Sequence, residues 1–234
     1  MLIDTHTHVP NLTSVDKIIY SSGEKDIEKV FNVSQKNKNI FCTIGIHPEF
    51  TDINFNYESK LQNSKVVGVG EIGLDYHYGN ENSDEQIKLF KHQLEIAKRA
   101  NLPVAIHSRE AEIDTKNILK EFDLIGVLHC FTSSYELART MLDRGFYISA
   151  SGIITFKNAD ALRETFAKIP MDRIVAETDS PFCSPVPFRG KEAKPAMVIE
   201  VIKCLADIKK ISVMEMEEIV WQNSHKLYPK LMNS

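Results

Sequence analysis

His6 and His8, one residue apart near the start of the chain, are spaced as two ligands of one metal ion would be. Side chains alternate across a strand, so extended backbone points both imidazoles the same way, and imidazole is a common metal ligand. The pair alone is equally consistent with two surface histidines, so its meaning depends on whether later segments deliver more ligands. They do. Val66-Val67-Gly68-Val69-Gly70 leads into Glu71, Pro103-Val104-Ala105-Ile106 into His107, Gly126-Val127-Leu128 into His129, and Ile174-Val175-Ala176 into Glu177-Thr178-Asp179. Each time a short apolar run, rich in β-branched residues, ends in a residue able to bind a metal.

Runs of that composition, without polar alternation, suit strands buried on both faces of a parallel sheet. Amphipathic stretches lie between them: residues 84 to 100 carry Ile87, Leu89, Phe90, Leu94, Ile96 and Ala97 among charges, and residues 134 to 144 carry Leu137, Met141 and Leu142. Strand and helix alternate, which predicts a parallel α/β architecture. Eight strands can be marked, at 2–5, 17–20, 40–46, 66–72, 104–107, 126–129, 146–150 and 174–176. Eight is the number a closed (β/α)8 TIM-type barrel requires, and such barrels keep their chemistry at the C-terminal strand ends, where these His, Glu and Asp residues fall. An open doubly wound sheet would favour a glycine-rich phosphate loop after the first strand, and His8-Val9-Pro10-Asn11-Leu12-Thr13 is not one. The short first connection predicts that the first helix is missing or reduced to a turn.

The 234 residues, 43% of them hydrophobic, are expected to form one domain over 1–234, with no low-complexity tract dividing them. There is no apolar stretch of membrane-spanning length and no basic, apolar leader, so no membrane partner and a cytoplasmic location are expected. Cys42, Cys130, Cys183 and Cys204 have no CxxC spacing and read as small buried hydrophobes. A net charge of −4 argues against a broad electrostatic surface for nucleic acid but leaves room for a local basic cleft from Arg109, Arg189 and Lys191.

The segments His6-Thr7-His8, Gly45-Ile46-His47-Pro48, Gly70-Glu71-Ile72-Gly73-Leu74-Asp75-Tyr76, Ile106-His107-Ser108-Arg109, Leu128-His129-Cys130-Phe131-Thr132 and Glu177-Thr178-Asp179-Ser180-Pro181 resemble the successive motifs of the TatD family of metal-dependent deoxyribonucleases. Arg189-Gly190-Lys191 and Asn223 also fit, and the resemblance runs in order through nearly the whole chain. It implies an amidohydrolase-like barrel and metal-dependent hydrolysis of phosphodiester bonds at DNA ends, as a 3′–5′ exonuclease. It also implies two divalent ions (Mg²⁺, Mn²⁺ or Zn²⁺), one on His6, His8, Glu71 and Asp179, the other on Glu71, His107 and His129.

Chemistry supports that partition. Two ions about 3.5–4 Å apart need a bridging anion, and a glutamate can give one oxygen to each. Glu71 is the expected bridge and Asp179 the expected base, with Glu177 set to orient a histidine. His47, Asp75, Arg109 and Arg189 are candidates for substrate phosphate or leaving group; against that, His47 before Pro48 could only cap a loop and Asp75 could only orient a ligand. Tyr76-His77-Tyr78 could stack on nucleobases or pack their loop on the barrel. His92 and His225 are expected on helices away from the site.

Two features depart from the family pattern: Glu192-Ala193-Lys194-Pro195 stands where the family continues toward Asn-Glu-Pro, and the first connection is short. Both lie outside the metal ligands but could line the cleft, so hydrolysis is better supported than DNA as its substrate. The same centre acting on an ester, lactone or amide, an aminoacyl-tRNA ester included, is the alternative. A barrel that only binds is a third reading, which the intact ligand set opposes. The oligomeric state is open, a monomer included.

Overall fold

A computed structural model describes residues 1–22, 26–51 and 56–233. Eight strands form one parallel sheet in chain order: β1 (Ile3–Thr7), β2 (Lys17–Ser21), β3 (Ile40–Ile44), β4 (Val66–Asp75), β5 (Val104–Arg109), β6 (Gly126–Leu128), β7 (Tyr147–Ala150) and β8 (Ile174–Ala176). The helices are α1 (Ile27–Lys36), α2 (Ser83–Ala100), α3 (Glu112–Lys120), α4 (Tyr135–Leu142), α5 (Asp160–Lys168), α6 (Val198–Lys209) and α7 (Val213–Leu227). Every residue of β1, β3 and β4 is buried, as continuous apolar runs covered on both faces require. No helix separates β1 from β2, as the short connection predicts.

The ends of the sheet meet to make a nearly closed barrel. Thr7 bridges Ser180 in parallel, His8 N donates to Ser180 O at 2.7 Å, and Asp179 N donates to His6 O at 3.0 Å. Asp4, wholly buried, reinforces the seam by accepting from Thr178 N at 2.9 Å and Thr178 Oγ1 at 2.5 Å. Burial pushes the Asp4 carboxyl well above the usual range, against the opposing Thr178 bonds. Ligands from the first strand and from the segment after the eighth are thereby neighbours.

Strand β4 runs three residues beyond the expected end at Ile72. Its pairing with β5 steps from Val69–Val104 to Ile72–Ile106, so β4 carries one extra residue there, a bulge around Gly70 and Glu71. Such a bulge re-aims a side chain without ending the strand, and the strand goes on to deliver Asp75 on the same face as Glu71. Gly70 is needed because a Cβ there would lie 2.6 Å from the Ala105 Cβ.

Helix α2 has acidic residues in its first turn and basic ones in its last, and Asn101 beyond it, at φ 51°, ties its N–H to Ala97 O and Lys98 O. Its buried face carries Phe90, Leu94 and Ala97, together with Gln86 and Gln93. Asn223 of α7 donates to Met171 O and Ile174 O, both at 2.8 Å, and so pins the start of β8. Its role is structural, at the barrel end away from the site.

Candidate metal centre

Glu71 is the hub of the barrel mouth. Oε2 lies 3.3 Å from His6 Nε2 and 3.6 Å from His8 Nε2, while Oε1 lies 2.6 Å from His129 Nε2, 2.7 Å from His107 Nδ1 and 3.6 Å from His47 Nε2. Asp179 Oδ1 stands 3.6 Å from His8 Nε2. The rings of His6 and His129 stack at 4.1 Å, joining the two sets. Burial alone would raise Glu71, but His129, His47 and the bonds from His107 and His129 outweigh it and hold the carboxyl well below the usual range. Asp179 is lowered in the same way, by the His8 bond against burial.

The outer edge of each ring decides which nitrogen faces inward. His8 Nδ1 is 3.1 Å from Ser21 O, and a carbonyl only accepts, so Nδ1 carries a proton and Nε2 is free to bind a cation. His107 Nε2 meets Asp75 Oδ2 at 2.9 Å, and His129 Nδ1 meets Glu177 Oε1 at 3.1 Å, so each ring turns its other nitrogen to Glu71. Glu177 is itself held by Cys130 N at 2.7 Å and Ser149 Oγ at 2.6 Å. Burial opposes charge on His107 and His129, yet their carboxylate partners raise both, His129 strongly.

His47 is turned the other way. Glu49 N donates to its Nδ1 at 3.3 Å, so the Nε2 proton points at the centre. Burial, with His107 and His129, lowers it to about 4 against the pull of Glu71 and Asp75, so it is neutral at neutral pH. Helix α2 positions two of these groups. Gln86 clamps Asp75, accepting from its N and donating to its O at 2.8 Å each, and Gln93 clamps Ile46, next to His47, at 2.7 and 2.9 Å. The two glutamines, seven residues apart, share one helix face. Their signal in the sequence is a polar residue at core-facing positions of an amphipathic helix.

The expected substrate contacts divide. Asp75 orients His107 and also receives His77 N at 2.9 Å. Arg109 is exposed at the cleft mouth, its guanidinium 5.6 Å over the Tyr78 ring, and Tyr78 is 77% exposed. Arg189 stacks 3.7 Å over Phe156 and donates to Ser184 O at 3.3 Å, outside the cleft lining. Tyr76 instead packs against the core and bonds Asp114 at 2.9 Å. Phe182, 62% exposed, lines the cleft beside His8. Cys42 is buried as expected, its thiol pushed up to about 12 by burial, whereas Cys130 and Cys183 line the cleft. Lys194 is exposed and Ala193 buried.

A buried carboxylate ringed by imidazole edges fits a divalent metal, because imidazole and carboxylate are the donors that such ions share. The family model described as TatD related DNase matches residues 3–229. The chain belongs to the TatD family. It is 36% identical to the metal-dependent hydrolase YcfH of Escherichia coli K12, over 97% of this chain and 95% of the relative. Against YabD of Bacillus subtilis 168 the identity is 35%, over 97% and 99%. Among solved structures, the TatD homologue YJJV of Escherichia coli superimposes with a TM-score of 0.90 at 27% identity, over 97% of this chain and 98% of that one. A TatD family hydrolase of Entamoeba histolytica, 23% identical, shares the fold with a TM-score of 0.80 over 97% of each chain. This TatD protein is a metal-dependent hydrolase. No helix among its described residues is long and apolar enough to cross a membrane.

Proposed function

We propose that this protein is a deoxyribonuclease that removes nucleotides from DNA ends, 3′ to 5′, with two divalent ions at the barrel mouth. The observation that carries the reading is the Glu71 carboxylate, one oxygen toward His6 and His8 and the other toward His107 and His129. One ion would be held by His6, His8, Glu71 and Asp179, the other by Glu71, His107 and His129. When bound, the ions supply an activated water and neutralise charge on the phosphoryl oxygens.

The remaining work falls to the chain's own groups. Asp179 stays ionised, its Oδ1 3.6 Å from His8 Nε2, and its carboxylate can accept a proton. His47, neutral with its Nε2 proton inward, can donate to a phosphoryl oxygen or to the leaving group. Arg109 offers a planar, charged donor pair suited to a phosphate at the mouth. Tyr78 and Phe182 present exposed rings on the same cleft, the kind of platform on which unstacked bases lie. The aromatics and the arginine together favour a nucleic acid over a small ester.

The test is degradation of single-stranded DNA labelled at one end or the other, with Mg²⁺, Mn²⁺ or Zn²⁺ added to metal-stripped protein and Asp179→Asn as control. Metal-dependent shortening from the 3′ end, absent in the variant, is expected. Metal binding without shortening under any ion would overturn the nuclease reading and leave an ester or amide substrate on the same centre.

A further inference from the structure

The Glu71 centre leaves two cleft-lining thiols without a role. Cys130 follows His129 just beyond β6, and Cys183 lies in the loop after β8, yet their sulfurs are 3.8 Å apart. Cys183 Sγ is 3.5 Å from Asp179 Oδ2, the oxygen that does not face His8. One donor atom from each of the three residues lies within 4.8 Å of the others. All three backbones are left-handed, at φ 41° for Cys130, 56° for Asp179 and 52° for Cys183, a conformation non-glycine residues rarely take. Three such residues from two loops therefore converge on one point of the cleft.

The sulfur–sulfur separation and the Cys183–Asp179 separation match two edges of a coordination tetrahedron. With metal–sulfur bonds of about 2.3 Å and a metal–oxygen bond of about 2.1 Å, tetrahedral angles place two sulfurs about 3.8 Å apart and sulfur and oxygen about 3.6 Å apart. A disulfide would need the sulfurs at about 2.05 Å and would have no use for the carboxylate.

We propose that Cys130, Cys183 and Asp179 form a further metal site, for one thiophilic divalent cation of the Zn²⁺ and Cd²⁺ class, distinct from the histidine–Glu71 centre. Two metal–sulfur bonds and one metal–oxygen bond form, both thiol protons leave to solvent, and the fourth position opens to the cleft. Hard ions such as Mg²⁺ and Mn²⁺ prefer oxygen and nitrogen and pass the site by. Asp179 links the two sites, one oxygen facing each. The assignment does not depend on the protein being a nuclease.

Reduced, metal-stripped full-length protein titrated with Cd²⁺ tests it, read by ultraviolet thiolate-to-cadmium charge transfer and by equilibrium dialysis. The wild type is expected to show the absorption of two thiolates and to bind one ion more than Cys130→Ser/Cys183→Ser, which lacks the band. Cys183→Ser alone, a loop substitution, should cut the band to half or less, and Cys204→Ser should keep it whole. With Mn²⁺ the stoichiometry should be equal in wild type and double variant, with no thiolate signal. Absence of the band in the wild type at saturating Cd²⁺ overturns the proposal whatever the variants do, and so does an undiminished band in the double variant. Failure of the histidine–Glu71 centre gives a different signature, ions missing from both proteins alike.

Discussion

Asp75 Oδ2 lies 2.9 Å from His107 Nε2, on the ring edge opposite the one that meets Glu71. The carboxylate accepts a hydrogen bond from Nε2–H and leaves Nδ1 to face the centre. Asp75→Asn keeps the shape and loses the charge, so affinity for a metal on the His107 side is expected to fall about 10- to 100-fold, as for other outer partners of histidine ligands. Chelator competition measures it; unchanged affinity would return Asp75 to the role of a substrate contact.

Glu71 serves both histidine sets, so its loss should be felt on both. Glu71→Ala is expected to bind one fewer metal by elemental analysis and to lose activity on the order of 10³-fold, the scale on which removing one preorganised electrostatic group acts. Full occupancy in that variant would sink the bridging assignment.

Arg109 and Tyr78 should separate a polymer from a small substrate. Arg109→Ala is expected to lower kcat/KM on single-stranded DNA about 10- to 100-fold, the worth of a charge-assisted phosphate contact. Tyr78→Ala should lower it about 5- to 100-fold, the range for one stacked base, and leave hydrolysis of a small aryl phosphodiester unchanged. Arg189→Ala should do little on either substrate, because its guanidinium lies over Phe156. Equal losses from Tyr78→Ala on both substrates would show that the ring supports the fold instead.

Gly73, at φ 149°, has no room for a side chain: a Cβ would run into the His107 carbonyl oxygen on β5. Gly73→Ala should cost at least about 3 kcal/mol, combining strained backbone with overpacking between two buried strands. Urea unfolding reads this directly. A midpoint equal to that of the wild type would mean that β4 and β5 can separate there at little cost.

His225 on α7 donates from Nδ1 to Trp221 O at 2.8 Å and has Lys17 Nζ 3.3 Å from Nε2. Burial first, and Lys17 after it, lower its pKa against the pull of the Trp221 carbonyl. A depressed folded value gives stability that is complete above the ordinary imidazole pKa of about 6.5 and is lost as pH falls through the folded one. His225→Gln should therefore lose less stability than the wild type between about pH 7.5 and about pH 5. Parallel pH profiles for the two proteins would remove His225 from the acid response.

The barrel was legible in the chain because its signals are local. Each apolar run with a His, Glu or Asp at its end marked a strand and the end facing the chemistry, and residues 8–16 were too few for a helix. The β4 boundary was not legible, since the bulge at Gly70–Glu71 is a relation between two strands and leaves no mark in either alone. Which ring nitrogen faces inward was likewise undecidable, because Ser21, Asp75 and Glu177 settle it and lie 13, 32 and 48 residues from the histidines they hold. Arg189 beside Phe156, and the meeting of Cys130 with Cys183 across 53 residues, have the same origin. Sequence by itself determined the alternation of strand and helix and the inventory of ligands, because periodicity and residue type act over a few residues. Only the closed sheet decided which atoms of those ligands face one another, because that distance is set by barrel closure and by no spacing along the chain.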